Sequence, residues 1–166
     1  YRTAEVEYAL NKAGCQALVT MARFKTSDYL DMLRELAPEW VHGQPGQLES
    51  ATLPLLKAVV WIDEAGEGDN PPGLMRFSDL LASGNPDDAR LADIAATLNA
   101  TDPINIQFTS GTTGFPKGAT LTHRNILNNG FFIGEAMRLT PADRLCIPVP
   151  LYHCFGMVLG NLACLT

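Results

Sequence analysis

No run of lysine or arginine occurs in this sequence. Its net charge is −6, with 12 basic residues against 18 acidic ones. Nucleic-acid-binding domains usually carry a basic stripe that follows the phosphate backbone, so we expect no nucleic acid partner. A small phosphate ligand remains compatible with this charge, because backbone N–H groups and one or two cations can hold it over a few ångströms.

Targeting and membrane-spanning segments are also missing from the sequence. The chain opens at Tyr1 without a basic stretch followed by an apolar run, the pattern of a signal peptide. The apolar segment 155–165 is about eleven residues long and contains Gly156 and Gly160, so it is too short to cross a bilayer. We expect no transmembrane segment, and we interpret the segment as the start of a buried helix. The missing initial methionine indicates an internal fragment.

The four cysteines form no Cys-x-x-Cys pair. Because their neighbours are apolar, the pattern predicts buried, reduced thiols of a cytoplasmic protein. A zinc site built from Cys146, His153 and Cys154 is the alternative. Adjacent His and Cys residues rarely both reach one metal, and a fourth ligand is not apparent, so we predict no metal site.

The pattern of apolar residues alternates between strands and helices. With 166 residues, 46% hydrophobic and 18% charged, the chain resembles one globular domain. This alternation indicates an α/β fold, a mostly parallel sheet with helices on both faces. In chain order we predict a helix capped by Thr3 and ending at Gly14, a strand at 17–19, a helix capped by Ser27, a strand at 58–62, a turn-rich linker at 66–73, helices at 78–81 and 86–96, a strand at 104–108, a helix capped by Thr122 and ending near Arg138, and a strand at 145–149.

The segment most indicative of chemistry follows the predicted strand 104–108. It reads TSGTTGFPKG over residues 109–118, with three glycines, four hydroxyl side chains and Lys117. Glycines allow the backbone to approach a ligand closely, and successive N–H groups with hydroxyls can surround phosphate oxygens. The composition therefore favours an anion-binding loop. An ordinary polar turn between two strands is the alternative that these residues leave open.

Two familiar motifs are excluded by spacing. A Walker A loop needs Gly-Lys followed by Ser or Thr, whereas here Pro116 precedes Lys117 and Gly118 follows it. This spacing disfavours a hydrolytic NTPase. Ser110 also lacks the Gly-x-Ser-x-Gly frame of an α/β-hydrolase.

The string TSGTTGFPKG resembles the signature loop of the adenylate-forming superfamily, which includes acyl-CoA synthetases, luciferases and peptide-synthetase adenylation domains. PLYHCFGM, at 150–157, is similar to a segment of the fatty acyl-CoA synthetases, and the opening YRTAEVEYALNKAGCQALV is similar to their early helix and strand. The resemblance implies part of the N-terminal subdomain of an acyl-CoA synthetase-like fold. Residues 1–166 would be a single incomplete domain, with the C-terminal domain absent.

The resemblance also implies a two-step ligase reaction that uses ATP, Mg²⁺ and CoA. A fatty acid carboxylate attacks the α-phosphorus of ATP to give acyl-AMP and pyrophosphate, and the CoA thiol then displaces AMP. Lys117 and His153 would be catalytic, the first as a mobile cation and the second in the carboxylate pocket. Without the resemblance, His153 reads as an ordinary, partly buried histidine. The triphosphate loop would comprise Thr109, Ser110, Gly111, Thr112, Thr113, Gly114, Phe115, Pro116 and Lys117.

Two other functions remain open at this stage. The chain could be a stand-alone nucleotide- or anion-binding module without catalysis, or its parent could act on an aryl or amino acid. As a fragment, it is expected to catalyse neither half-reaction alone and to self-associate through exposed apolar surface.

Overall fold

The computed structural model describes residues 2–62, 70–109, 114 and 116–166. The chain divides into two compact units, Tyr1–Asp88 and Ala89–Thr166. Within the described ranges, no helix is both long and apolar enough to cross a membrane. The assignment of 1–166 to a single domain stays a prediction.

The helices and strands alternate along much of the chain, as the sequence predicts. The first unit contains α1 Thr3–Ala13, β1 Ala17–Met21, β2 Arg23–Phe24, β3 Ser27–Asp28, α2 Tyr29–Leu36, a 3₁₀ turn Pro38–His42, β4 Ala58–Ile62, β5 Met75–Arg76 and α3 Phe77–Ser83. The second contains α4 Arg90–Thr97, β6 Pro103–Phe108, β7 Gly118–Thr122, α5 His123–Met137, a π-helix Phe155–Leu162 and α6 Ala163–Leu165.

A parallel sheet forms the centre of the first unit. β4 lies between β1 and β5, and both of its neighbours run parallel to it. Val59, Val60 and Trp61, three successive residues of β4, are all buried. Since successive strand residues point to opposite faces, this sheet is covered on both sides, as is usual for parallel sheets. The predicted α/β class is confirmed.

The helices of the first unit pack against this sheet through leucines and a tryptophan. Leu10, Leu33 and Trp40 belong to the same buried cluster as Val59 and Trp61. The predicted end of α1 is confirmed, and Gly14 follows its last residue with a φ of 66°. The left-handed conformation explains why glycine stands there.

Both predicted caps of the first unit are wrong by one residue. Arg2 holds the cap position of α1, so Thr3 is already helical. Asp28 caps α2 by accepting the N–H of Asp31, whereas Ser27 pairs with Phe24 in the β2–β3 ladder. Asp28 is paired in the same ladder, with Arg23, and it is the cap because it directly precedes Tyr29, the first helical residue.

An antiparallel hairpin and two packed helices make up most of the second unit. β6 pairs with β7, and α5 follows β7 directly. The antiparallel pairing departs from the predicted mostly parallel sheet. α5 approaches the C-terminal helices closely: a Cβ added to Gly130 would lie 3.1 Å from Leu162 Cβ, and one added to Gly134 would lie 2.9 Å from the Ala163 carbonyl oxygen.

The predicted strand at 145–149 is wrong. These residues form no ladder with any strand in the part of the chain described here. Pro148 interrupts the segment and cannot donate to a ladder. The segment instead packs against the π-helix, where Gly160 leaves room for the Ile147 side chain.

The prediction of buried cysteines is wrong for three of the four. All four thiols are free; Cys15 is partly buried, but Cys146, Cys154 and Cys164 are exposed. The predicted helix at 155–165 is present, and it is buried on one side only. Val158 and Ala163 face the packed interior, whereas half of Phe155 and 74% of Leu165 are exposed. Apolar neighbours in sequence therefore do not bury a residue that lies on the outer side of a helix.

Candidate functional site

The predicted phosphate-binding loop connects the two strands of the β6–β7 hairpin. The last ladder pair is Phe108 with Gly118, and the Thr109 N–H then donates to the Lys117 carbonyl over 2.9 Å. This hydrogen bond brings the two ends of the loop together at its base.

A side chain at position 118 would be tightly packed at the base of the loop. A Cβ at this position would lie 3.0 Å from Ile106 Cγ2 and 3.5 Å from the Phe108 ring. At Gly114 the φ of 128° lies outside the range of ordinary side-chain-bearing residues, and nothing lies within 4 Å of an added Cβ. The backbone conformation therefore favours glycine at position 114, whereas packing favours it at position 118.

Four of the nine predicted loop residues can be placed. Thr109, Gly114 and Lys117 are exposed and Pro116 is partly buried. The other five, Ser110, Gly111, Thr112, Thr113 and Phe115, lie outside the described residues. The two end residues, Thr109 and Lys117, are therefore in contact with solvent.

Helix α5 begins immediately after the hairpin and is firmly capped. The Thr122 hydroxyl accepts the Asn125 N–H over 3.2 Å, and the Asn125 side chain accepts the Thr122 N–H over 3.0 Å. This reciprocal pair is a capping box. The Arg124 N–H also donates to the Ala100 carbonyl over 2.9 Å, which ties the helix start to the turn before β6. The predicted cap and helix are confirmed.

His153, the second predicted catalytic residue, lies in a tight turn before the π-helix. Its N–H donates to the Pro150 carbonyl, and its own carbonyl accepts the Met157 N–H, both over 3.0 Å. The side chain is exposed, and its Nδ1 accepts the Phe155 N–H over 3.1 Å. This exposure contradicts the interpretation of His153 as a partly buried histidine.

The turn at His153 depends on a close passage of the chain. A Cβ added to Gly156 would lie 2.4 Å from the Pro150 carbonyl oxygen, a distance that no side chain can occupy. The role of the Phe155 N–H was not foreseen, because main-chain hydrogen bonds to a side chain leave no signal in residue types. Gly156, three positions after His153, is the one residue type here that indicates a tight turn.

Neither of these two places holds a metal-binding cluster among the described residues. No three His, Cys, Asp or Glu side chains among them are grouped to hold a metal ion. A cavity of about 460 Å³ lies elsewhere in the second unit and contains none of the predicted site residues. Its lining residues are Leu139, Thr140, Pro141, Asp143, Leu145, Ala163, Cys164, Leu165 and Thr166.

The sequence profile of AMP-binding enzymes matches the chain from residue 1 to residue 166. The chain belongs to the AMP-binding enzyme family. The resemblance of TSGTTGFPKG and PLYHCFGM to adenylate-forming enzymes is thereby confirmed at the level of the family.

Relatives within this family include vertebrate acyl-CoA ligases. The chain is 45% identical over 171 residues to the mitochondrial medium-chain acyl-CoA ligase ACSF2 of Macaca fascicularis, covering 99% of this chain and 27% of that protein. It is 46% identical over 164 residues to the ligase of the same name from Danio rerio, covering 97% and 26%. The chain therefore spans about a quarter of the length of these relatives.

The fold also matches a solved structure. The apo structure of Mycobacterium smegmatis MbtA is similar with a TM-score of 0.67 at 21% identity, over 98% of this chain and 25% of that one. At this identity the similarity shows the fold alone. It agrees with the α/β class that the strand and helix pattern predicts.

Proposed function

We propose that the full-length protein is an AMP-forming acid–thiol ligase that activates a fatty acid with ATP and transfers the acyl group to CoA. The observation that carries the proposal is the family match over the whole chain, together with the closed base of the loop at Thr109 and Lys117. The family match, rather than the hairpin, supports an anion-binding loop over an ordinary polar turn. The single domain 1–166 would supply one part of the N-terminal domain.

In this proposal the loop at 109–117 holds the β- and γ-phosphates of ATP. A fatty acid carboxylate oxygen attacks the α-phosphorus, the bond to the bridging oxygen breaks, and pyrophosphate leaves. Charge grows on that leaving group, so main-chain N–H groups, the hydroxyls of Thr109, Ser110, Thr112 and Thr113, and the Lys117 cation would stabilise it. The exposure of Thr109 and Lys117 supports access of ATP to the loop.

The second proposed step is thioester formation. The CoA sulfur attacks the acyl carbon of acyl-AMP, and AMP leaves with the electrons of the broken bond. His153 would contact the carboxylate in the first step, and its exposed side chain supports that role. Mg²⁺ would accompany ATP and neutralise phosphate charge. Because the described residues contain no cluster that fits the ion, the proposal assigns Mg²⁺ to no residue of this chain.

The proposed substrate is a medium- to long-chain fatty acid. The similarity of PLYHCFGM to fatty acyl-CoA synthetases supports this class, and the macaque and zebrafish relatives are named medium-chain ligases. An aryl or amino acid substrate is the alternative within the same family. Because the chain spans only about a quarter of these relatives, the 166 residues alone are expected to catalyse neither step.

Pyrophosphate release by the full-length protein tests the proposal. We expect release only when ATP and a fatty acid are both present, and acyl-CoA formation when CoA is added. Aryl and amino acids serve as the comparison substrates, and preference for either would contradict the fatty acid assignment. Release of inorganic phosphate from ATP alone would instead indicate an NTPase. ATP binding without any acid-dependent turnover would indicate a binding module.

The proposed location of the protein is the cytoplasm, because the cysteine pattern of the sequence is typical of a reducing compartment. The macaque relative is named as mitochondrial. Fractionation of cells that express the full-length protein, with markers for both compartments, distinguishes the two locations.

A further inference from the structure

Two polar contacts are made to one nitrogen of the His153 ring. The Phe155 N–H donates to Nδ1 over 3.1 Å, and Cys154 Sγ lies 3.7 Å from the same atom. A neutral imidazole carries one N–H and one bare nitrogen, and only the bare nitrogen accepts hydrogen bonds. The proton of the neutral ring therefore lies on Nε2.

The main chain fixes this arrangement more firmly than a neighbouring side chain could. The turn is closed by the hydrogen bonds of His153 to Pro150 and of Met157 to His153. Gly156 passes so near the Pro150 carbonyl that even a methyl group would clash. The Phe155 N–H is therefore held beside the His153 backbone. Rotation of the His153 side chain brings Nδ1 into hydrogen-bond distance of this N–H.

We infer that the main-chain N–H of Phe155 positions His153 as a hydrogen-bond donor through Nε2 towards an oxygen of the fatty acid carboxylate. This inference rests on the proposed function, because it takes from it the contact between His153 and the carboxylate. Nε2–H binds one carboxylate oxygen and leaves the other free to attack the α-phosphorus. Phe155 acts through His153, so it is a positioning residue.

The tautomer is tested first, by a measurement that needs no activity. Phe155 is the first residue of the π-helix, and Cys154 before it has helical backbone angles that a following proline disfavours, so the Tm of Phe155→Pro is compared with that of Phe155→Ala. Phe155→Pro removes both the N–H and the ring, whereas Phe155→Ala removes the ring alone. ¹⁵N NMR of the ¹⁵N-histidine-labelled full-length protein at alkaline pH reports which nitrogen carries the proton, and His153→Gln assigns the signal.

We expect the Nε2–H form in the unaltered protein and in Phe155→Ala, and a mixture of both forms in Phe155→Pro. Cys154→Ala should leave the Nε2–H form in place, because the N–H makes the shorter contact. An Nδ1–H signal in the unaltered protein, or an unchanged Nε2–H signal in Phe155→Pro, overturns the inference. So does loss of the Nε2–H form in Cys154→Ala, which would assign the role to the thiol.

Two substitutions of His153 test whether its Nε2 donates a hydrogen bond to the fatty acid carboxylate. The amide nitrogen of glutamine lies near the position of Nε2, and that of asparagine near Nδ1. We expect His153→Asn to lower kcat/KM for the fatty acid about 10- to 100-fold, the typical worth of a hydrogen bond to a charged group, while His153→Gln retains most of it. KM for ATP should change little in both.

The outcomes separate this inference from the proposed function. Equal losses in His153→Asn and His153→Gln, or a rise in KM for ATP rather than for the fatty acid, overturn the inference while the ligase assignment stands. Absence of fatty-acid-dependent pyrophosphate release by the unaltered protein overturns the proposed function. In that case the NMR measurement still decides which nitrogen of His153 carries the proton.

Discussion

At the scale of single residues, the Asp28 carboxylate joins a helix start to a strand pair. Its Oδ1 accepts the Asp31 N–H over 2.9 Å, and its Oδ2 pairs with Arg23 over 2.8 Å. The hydrogen bond from Asp31 and the charge of Arg23 lower the pKa of the Asp28 carboxyl below its usual 3.8, and burial opposes them. The folded state therefore favours the ionised form of the Asp28 side chain.

The first prediction concerns the pH dependence that follows from Asp28. Since the pKa in the folded state lies below that in the unfolded state, this carboxylate contributes stability above pH 3.8 that is lost as the pH falls through the lowered pKa. Asp28→Asn keeps a capping oxygen and removes the charge. We expect it to lower the Tm at about pH 6 and to differ progressively less at about pH 3. A difference that stays constant over this range would contradict the assignment.

The second prediction tests the loop at 109–117. Replacing Thr112, Thr113 and Lys117 with alanine in the full-length protein should lower kcat/KM for ATP at least about 100-fold, because each removes a donor or a cation from the leaving pyrophosphate. The Tm should change little. Lys57→Ala, at an exposed position of the first unit, is the control for loss of one positive charge. Full activity in the triple variant would show that the loop does not bind the polyphosphate.

At the scale of helices and strands, local signals were sufficient where the structure depends on local interactions. The end of α1 at Gly14, the strand β4 and the cap of α5 at Thr122 all match their predictions. A capping side chain lies within three residues of its partner, and a buried parallel strand is apolar throughout. Both features can therefore be read from neighbouring residues.

Non-local pairing explains the predictions that failed. Segment 145–149 is apolar enough for a strand, but a strand also needs an adjacent strand, and pairing partners are distant in sequence. Exposure of Cys146 and Cys164 depends likewise on which side of each element faces the interior. For the candidate site, residue types predict the loop and His153, but the nitrogen that carries the proton follows from a main-chain hydrogen bond that composition does not encode.

The third prediction concerns the contact of α5 with α6. Gly→Ala in a helix normally stabilises it by about 1 kcal/mol. At Gly134 the added methyl would lie 2.9 Å from the Ala163 carbonyl oxygen, so the two helices must separate. We expect Gly134→Ala to lower the free energy of unfolding by about 1–3 kcal/mol in urea titrations.

Asn129→Ala is the matched control for Gly134→Ala. Asn129 is exposed on the same helix, so alanine there gains helix propensity without a clash. We expect no loss of stability in this variant. If Gly134→Ala were also as stable as the unaltered protein, close packing at this crossing would be refuted.

At the scale of the whole molecule, the chain exposes many large apolar side chains. On α4, Leu91 and Ile94 are each more than half exposed, and their spacing places them on one side of the helix. Leu98, the residue that follows the helix, is exposed to the same extent and extends this apolar stripe. Exposed apolar stripes of this kind usually mark surfaces that bind other protein. The relatives contain about three further residues for each residue matched here, which can supply such cover in the full-length enzyme.

The last prediction is that the isolated 166-residue chain self-associates through this stripe. Without other protein to cover it, burial against a second copy removes apolar surface from water, at about 25 cal/mol per Å². We expect the apparent mass in sedimentation experiments to rise with concentration, and Leu91→Glu with Ile94→Glu to reduce the rise. Ala92→Glu with Ala96→Glu adds the same two charges away from the stripe and should reduce it less. Equal effects of the two pairs would attribute the change to charge repulsion, and a concentration-independent monomer would refute self-association itself.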